Sequence, residues 1–200
     1  MVETLIHFLQ AHWIEVLGFI TGVSCVLLGI AEISWSWPVG ITYNVLLFVV
    51  LWTHDVYALA LLQILYIGIS LYGWWNWLHG GVGHGTLRVS RTPLAITLAL
   101  AAASVAGILV LHAILDRYTN STVPWLDAVT TTLSLAAQYL LSRKMMATWF
   151  LFVLVDVIAI KINLDKHLYP IVALYAFFIV LCVLGYRHWS NSLHVRSCVD

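Results

Sequence analysis

A carboxylate and an amide sit near the middle of two apolar stretches. Asp156 follows Trp149 by seven residues and Asn44 follows Trp37 by seven, so each aromatic residue shares a helix face with its polar companion. A mid-membrane carboxylate costs about 2.5–3.5 kcal/mol on insertion scales. Asp156 therefore needs donors around it, must hold a proton, or must meet a cation. Gln63, Tyr66 and Ser70 share a face of a third stretch, and Tyr175 takes the place of Gln63 in the last one. Aromatic walls beside one carboxylate and several amides suit a flat, hydrogen-bonding, cationic organic solute. The rings would stack on it and attract its charge, while the amides bind hydroxyls. The structural alternative for Asp156 is a buried node that hydrogen-bonds helices together.

Other polar residues have plainer readings. Asp127, Thr131, Ser134 and Gln138 form one helical stripe, at spacings of four, three and four. Hydrogen bonding between helices accounts for Thr131 and Ser134; Gln138 fits packing or solute equally, and Asp127 anchors a segment end. Gly18, Gly22, Cys25 and Gly29 form a small-residue face for close helix approach. Lys161 is five residues past Asp156, roughly 140° around a helix, and is expected to snorkel to the surface. Trp13, Trp35, Trp52, Trp77, Trp125 and Trp189 stand at segment ends and read as interfacial belt residues.

The elements that position these groups must live in lipid. Of 200 residues, 62% are hydrophobic and 9% charged, with mean hydropathy +0.95; no soluble fold hides that much apolar surface. Net charge is zero and the basic residues are scattered, which excludes a nucleic-acid surface. The nine histidines lie mostly near connections, as do His54 and His167. Without paired ligand spacing they predict no metal, and no Gly-rich phosphate loop or other cofactor motif appears. Cys25, Cys182 and Cys198 are too dispersed for a disulfide framework; the first two read as small packing residues and the third as a tail thiol. Residues 1–4 lack the positive start of a signal peptide, so the first apolar segment is expected to be retained.

Apolar stretches at about 14–31, 37–52, 56–78, 94–115, 125–141, 147–162 and 168–189 predict seven crossings. Pro38, Pro93, Pro124 and Pro170 stand at or near segment starts, where a missing N–H costs least. A shift of 112 residues carries Trp13, Trp37, Tyr57, Gly73 and Trp77 onto Trp125, Trp149, Tyr169, Gly185 and Trp189, Glu15 onto Asp127, and Asn44 onto Asp156. Such duplication in an apolar chain outlines a small transporter. Two triplets joined directly would be inverted; the fourth segment, Ala-rich with Gly107 and with His112 as its one histidine, restores the starting face. The expected fold is therefore all-α, seven transmembrane helices in parallel 3+1+3 repeats, as in the SWEET sugar transporters. The expected parts are a first repeat at 1–80, a loop and linker helix at 81–122, a second repeat at 123–189 and a loose cytoplasmic tail at 190–200. Arg88, Arg91, Arg143, Lys144, Arg187 and Arg196 collect on one face against Arg117, Lys161 and Lys166 on the other. That bias places the N-terminus outside and the C-terminus in the cytoplasm.

Particular motifs carry a resemblance. Trp37-Pro38, Tyr57 with Gln63, and Tyr72-Gly73-Trp74-Trp75-Asn76-Trp77 occur in the first half. Asp127-Ala128 with Ser134 and Gln138, Trp149 with Asp156, and Leu174-Tyr175 before Gly185 occur in the second. In this order the chain resembles the PnuC family of vitamin-precursor transporters, from about Gly18 to Trp189. The resemblance implies facilitated diffusion of nicotinamide riboside across the cell (inner) membrane, trapping by a cytoplasmic kinase, and a homotrimer. It also implies a binding site between the triplets, at Asn44, Gln63, Gln138, Trp149, Asp156 and Tyr175, to which the residue pattern adds Trp37 and Tyr66. Relatives are assigned to thiamine or riboflavin. An acidic Asp156 suits nicotinamide riboside or thiamine, both cationic, better than neutral riboflavin. Phe152 stands where many members have a second tryptophan, which leaves the solute open.

The expected mechanism is alternating access without ATP or ion coupling, since Asp156 has no chain of intramembrane carboxylates around it for a proton relay. Two other classes remain. An intramembrane enzyme would need a histidine within reach of the deep Asp156, and a scaffold would need no solvated cavity.

Overall fold

The computed structural model describes residues 17–18, 20–53, 57–118 and 123–197. Residues 1–4, Trp13, Glu15, His54, Cys198 and the side chain of Arg196 lie outside the described residues. Seven α-helices are present among those described: α1 (Ile20–Ile30), α2 (Ser36–Thr53), α3 (Tyr57–His79), α4 (Leu94–Tyr118), α5 (Pro124–Ser142), α6 (Ala147–Asp165) and α7 (Tyr169–Ser197). Each coincides with one of the seven apolar stretches. α2, α4, α6 and α7 are long and apolar enough to cross a membrane. α5 begins on Pro124, whose missing N–H lies where the helix has no use for one.

The described residues fall into two compact units, one ending at Trp74 inside α3 and the other starting at Trp75. In the first unit the Cys25 thiol of α1 donates to the Ser36 carbonyl at the start of α2, at 3.3 Å. In the second, α4 packs on α5, α5 on α6, and α6 on α7. The buried Thr148 hydroxyl of α6 donates to the Ala137 carbonyl of α5 at 2.9 Å.

Each unit contains the same turn. Ile33 N–H donates to the Leu28 carbonyl at 2.9 Å and Met145 N–H to the Leu140 carbonyl at 3.0 Å; Ser36 to Ile33 and Thr148 to Met145 both measure 3.1 Å. Both of these pairs in one turn move onto the other by the 112-residue shift. The long closing bond is the mark of a helix ending through a left-handed residue. Those residues are Glu32 (φ 57°) and Lys144 (φ 48°), although left-handed backbone costs an L side chain roughly 1–2 kcal/mol.

Two expectations are overturned here. Trp35, Trp52 and Trp125 are exposed, as belt residues should be, but Trp77 and Trp189 are fully buried. Their rings pack on each other at 6.3 Å, and Trp189 meets Trp149 edge-on at 5.1 Å. The loop after α3 covers this end: Leu87 N–H bonds to the Trp77 carbonyl, Ser90 N–H to the Lys144 carbonyl, and Met146 N–H to the Ser90 carbonyl. The Lys144 ammonium is buried over the Trp77 ring, 4.4 Å from its centroid. The second correction concerns the tail, since α7 stays helical through Ser197. Extending a formed helix fixes few further angles for each bond gained, and the buried Trp189 holds its last turns.

Trp77→Phe tests the buried cluster. It keeps a ring beneath Lys144 but removes the indole N–H that donates to the Leu141 carbonyl at 3.0 Å. A loss of about 1–3 kcal/mol is expected, seen as a lower thermal midpoint in detergent. A membrane-belt tryptophan would tolerate phenylalanine, so an unchanged midpoint would restore the interfacial reading.

Candidate solute-binding site

The α6 helix presents Trp149 and Asp156 on one face, and both side chains are buried, at 3% and 7% exposure. Neither is well satisfied. The Trp149 indole N–H has no acceptor among the described residues. Asp156 receives one hydrogen bond there, from the Cys182 thiol of α7 at 4.0 Å. An ionised carboxylate accepts at about four positions, and a thiol is a weak donor for one of them. Lys161 is no partner: its ammonium is exposed and lies 3.6 Å from Asp165.

The facing seam of α7 runs through Tyr175, Phe178, Cys182, Gly185 and Trp189, at helical spacing. Shifting back by 112 residues gives Gln63, Tyr66, Ser70, Gly73 and Trp77 on α3. In both seams the residues from Ser70 and Cys182 onward are buried; ahead of them Gln63 is buried, while Tyr66, Tyr175 and Phe178 are half-buried. Gly73 and Gly185 do the same job. A Cβ on Gly73 would lie 2.5–2.7 Å from the six-membered ring of Trp37. One on Gly185 would lie 2.6 Å from Trp149 Cζ2 and Cζ3. Each tryptophan thus presses its indole flat on a helix backbone. Its companion seven residues on, Asn44 or Asp156, is thereby fixed in rotation.

On α5 the stripe of Asp127, Thr131, Ser134 and Gln138 is half-buried throughout. At 100° per residue it lies roughly opposite the buried Ala128, Ala136, Ala137 and Leu140. Hydrogen bonding between helices was expected for Thr131 and Ser134. Among the described residues their side chains, and that of Gln138, make no hydrogen bond; Thr130 bonds within its own helix instead, to the Leu126 carbonyl at 2.9 Å. The Gln63 amide likewise donates to its own helix, at Leu59, 3.3 Å. These polar groups thus retain bonding capacity that water or a solute can use.

The second-half candidates Trp149, Asp156 and Tyr175 are placed on the packed α6–α7 pair, with Gln138 on the unbonded face of α5. In the first half Trp37 lies against Gly73, Asn44 is half-buried on α2, and Gln63 and Tyr66 share the α3 seam. Reading the residues singly missed Cys182, taken for packing. The signal was present: the repeat sets Cys182 on Ser70, a member of the polar α3 face.

The chain is similar to known membrane transporters. The family described as nicotinamide mononucleotide transporter matches residues 12–191. The riboflavin/roseoflavin transporter RibM of Streptomyces davaonensis is 27% identical over 180 residues, covering 88% of this chain and 84% of that protein. The nicotinamide riboside transporter PnuC of Escherichia coli K12 is 24% identical over 210 residues, covering 92% and 88%. A crystal structure of the vitamin B3 transporter PnuC superposes with a TM-score of 0.73 at 22% identity, covering 96% of this chain and 86% of that one. That last likeness is one of fold.

Proposed function

The chain belongs to the nicotinamide mononucleotide transporter family, of multi-pass membrane transporters and not enzymes, and on that premise we propose that it carries nicotinamide riboside by facilitated diffusion. The observation that carries the reading is Asp156: a buried carboxylate whose one donor among the described residues is a thiol, on the same helix face as a buried indole. A pyridinium ring supplies the cation that the carboxylate lacks and a flat surface for Trp149. Gln138 and Tyr175, with Trp37, Asn44, Gln63 and Tyr66 in the first half, are assigned to the remaining ring and hydroxyl contacts. Access alternates without ATP or ion coupling, in parallel 3+1+3 repeats with the C-terminus cytoplasmic. Phosphorylation by a cytoplasmic kinase makes uptake concentrative, and the working unit is a homotrimer.

A second reading is riboflavin uptake, favoured by the similarity to RibM. A melting screen in detergent separates the two, because a ligand that binds only the folded state stabilises it by about 2.7 kcal/mol at a hundredfold excess over Kd. Nicotinamide riboside is expected to raise the midpoint and riboflavin to leave it unchanged. A shift with riboflavin alone would transfer the assignment, and no shift with nicotinamide riboside, thiamine or riboflavin would leave a scaffold. Counterflow in proteoliposomes is expected to proceed without a proton gradient or membrane potential; dependence on either would refute uncoupled diffusion.

A further inference from the structure

We propose that Cys182 is a positioning residue of the solute site: its thiol orients the Asp156 carboxylate and leaves most of the carboxylate's acceptor sites to the solute. The inference rests on the reading of Asp156 as the solute's anchor. Cys182 is 4% exposed, with its sulfur 4.0 Å from Asp156 Oδ2. Three observations separate it from a small residue that merely fills space.

First, Asp156 has no other hydrogen bond among the described residues, so among them the thiol is the one donor that can set which way the carboxylate turns. A strong donor in its place would use up the charge that a cationic solute needs; a weak donor sets direction while conceding little. Second, the unpartnered indole N–H of Trp149 belongs to the same seam. The Trp149 ring rests on Gly185, one turn beyond Cys182 on α7. A dry seam would thus hold a carboxylate and an N–H donor both short of partners, which is costly unless water or solute completes them. Third, the repeat puts a hydroxyl, Ser70, at the position of Cys182, and Ser70 is 1% exposed. The position is polar as well as buried in both halves, and a packing role alone asks only for the burial.

The test uses purified transporter in proteoliposomes, with nicotinamide riboside as probe, for the native chain, Cys182→Ala, Cys182→Ser, Asp156→Asn and the Cys182→Ala/Asp156→Asn double variant. Cys182→Ala is expected to raise KM by about three- to tenfold with kcat within about twofold. Cys182→Ser is expected to recover part of that loss, and the double variant to match Asp156→Asn alone. Mass spectrometry of the native chain should show saturating nicotinamide riboside slowing methanethiosulfonate labelling at Cys182. If Asp156→Asn weakens binding but Cys182→Ala leaves KM unchanged, or raises it equally without the carboxylate, Cys182 is packing and the inference fails alone. Should Cys182→Ala not fold, Cys182→Ser and the labelling decide, with unprotected labelling counting against the proposal. If nicotinamide riboside does not bind, or binds Asp156→Asn undiminished, the underlying assignment falls first.

Discussion

Asp156→Asn is expected to weaken nicotinamide riboside binding by about 30- to 4,000-fold while leaving the empty protein as stable as before, or more so. The two halves of this expectation have one cause. Truncating one partner of a buried charged pair costs about 2–5 kcal/mol of binding, and each 1.4 kcal/mol is tenfold. Asparagine matches aspartate in size but presents an N–H₂ group where the pyridinium brings positive charge. In the empty protein the carboxylate is buried with one weak donor among the described residues, so an uncharged amide removes a desolvation penalty. A node that ties helices together behaves oppositely: its loss lowers the midpoint and leaves affinity alone. Calorimetric titration and a thermal scan on the same preparation distinguish them. A fall in midpoint with unchanged affinity would return Asp156 to the structural reading.

The distribution of helices was legible because lipid imposes one strong rule, an apolar run of sufficient length, and Pro38, Pro93, Pro124 and Pro170 punctuate the runs. What stayed hidden depends on segments far apart in sequence. That Trp77 and Trp189 stand at segment ends was visible. That the stretch around residues 86–92 covers those ends was not, because it rests on bonds such as Leu87 to Trp77 and Ser90 to Lys144. The left-handed residues Glu32 and Lys144 were equally concealed, since neither is the glycine or asparagine that signals such a turn.

The candidate site was half legible, and the duplication explains which half. Positions that the 112-residue shift leaves identical, Trp37 with Trp149 and Gly73 with Gly185, hold the same contacts in each unit. Positions that it changes differ in polarity: Asn44 becomes Asp156, Gln63 becomes Tyr175, Ser70 becomes Cys182. Sequence displays the substitutions, but contact between Cys182 and Asp156 appears only once α6 and α7 are packed.

Gly185→Ala should therefore destabilise the protein sharply, against the ordinary preference of helices. In an unobstructed helix alanine is favoured over glycine by about 0.8–1 kcal/mol. Here the new Cβ would lie 2.6 Å from Trp149 Cζ2 and Cζ3, well inside the 3.0 Å that real Cβ contacts respect. The indole has little room to retreat, because Trp189 lies edge-on to it at 5.1 Å and is fully buried. Overpacking of this kind costs about 1–3 kcal/mol, and Gly73→Ala against Trp37 should behave alike. Trp149→Phe shortens the ring that causes the clash. Gly185→Ala should then cost at least about 1 kcal/mol less in the Trp149→Phe background than in the native chain, a coupling within the range for residues in contact. Thermal unfolding of the four proteins in one detergent measures it. Simple additivity, or a higher midpoint for Gly185→Ala alone, would mean that the tryptophan does not lie on the helix backbone. The rotation imposed on Asp156 would then need another cause.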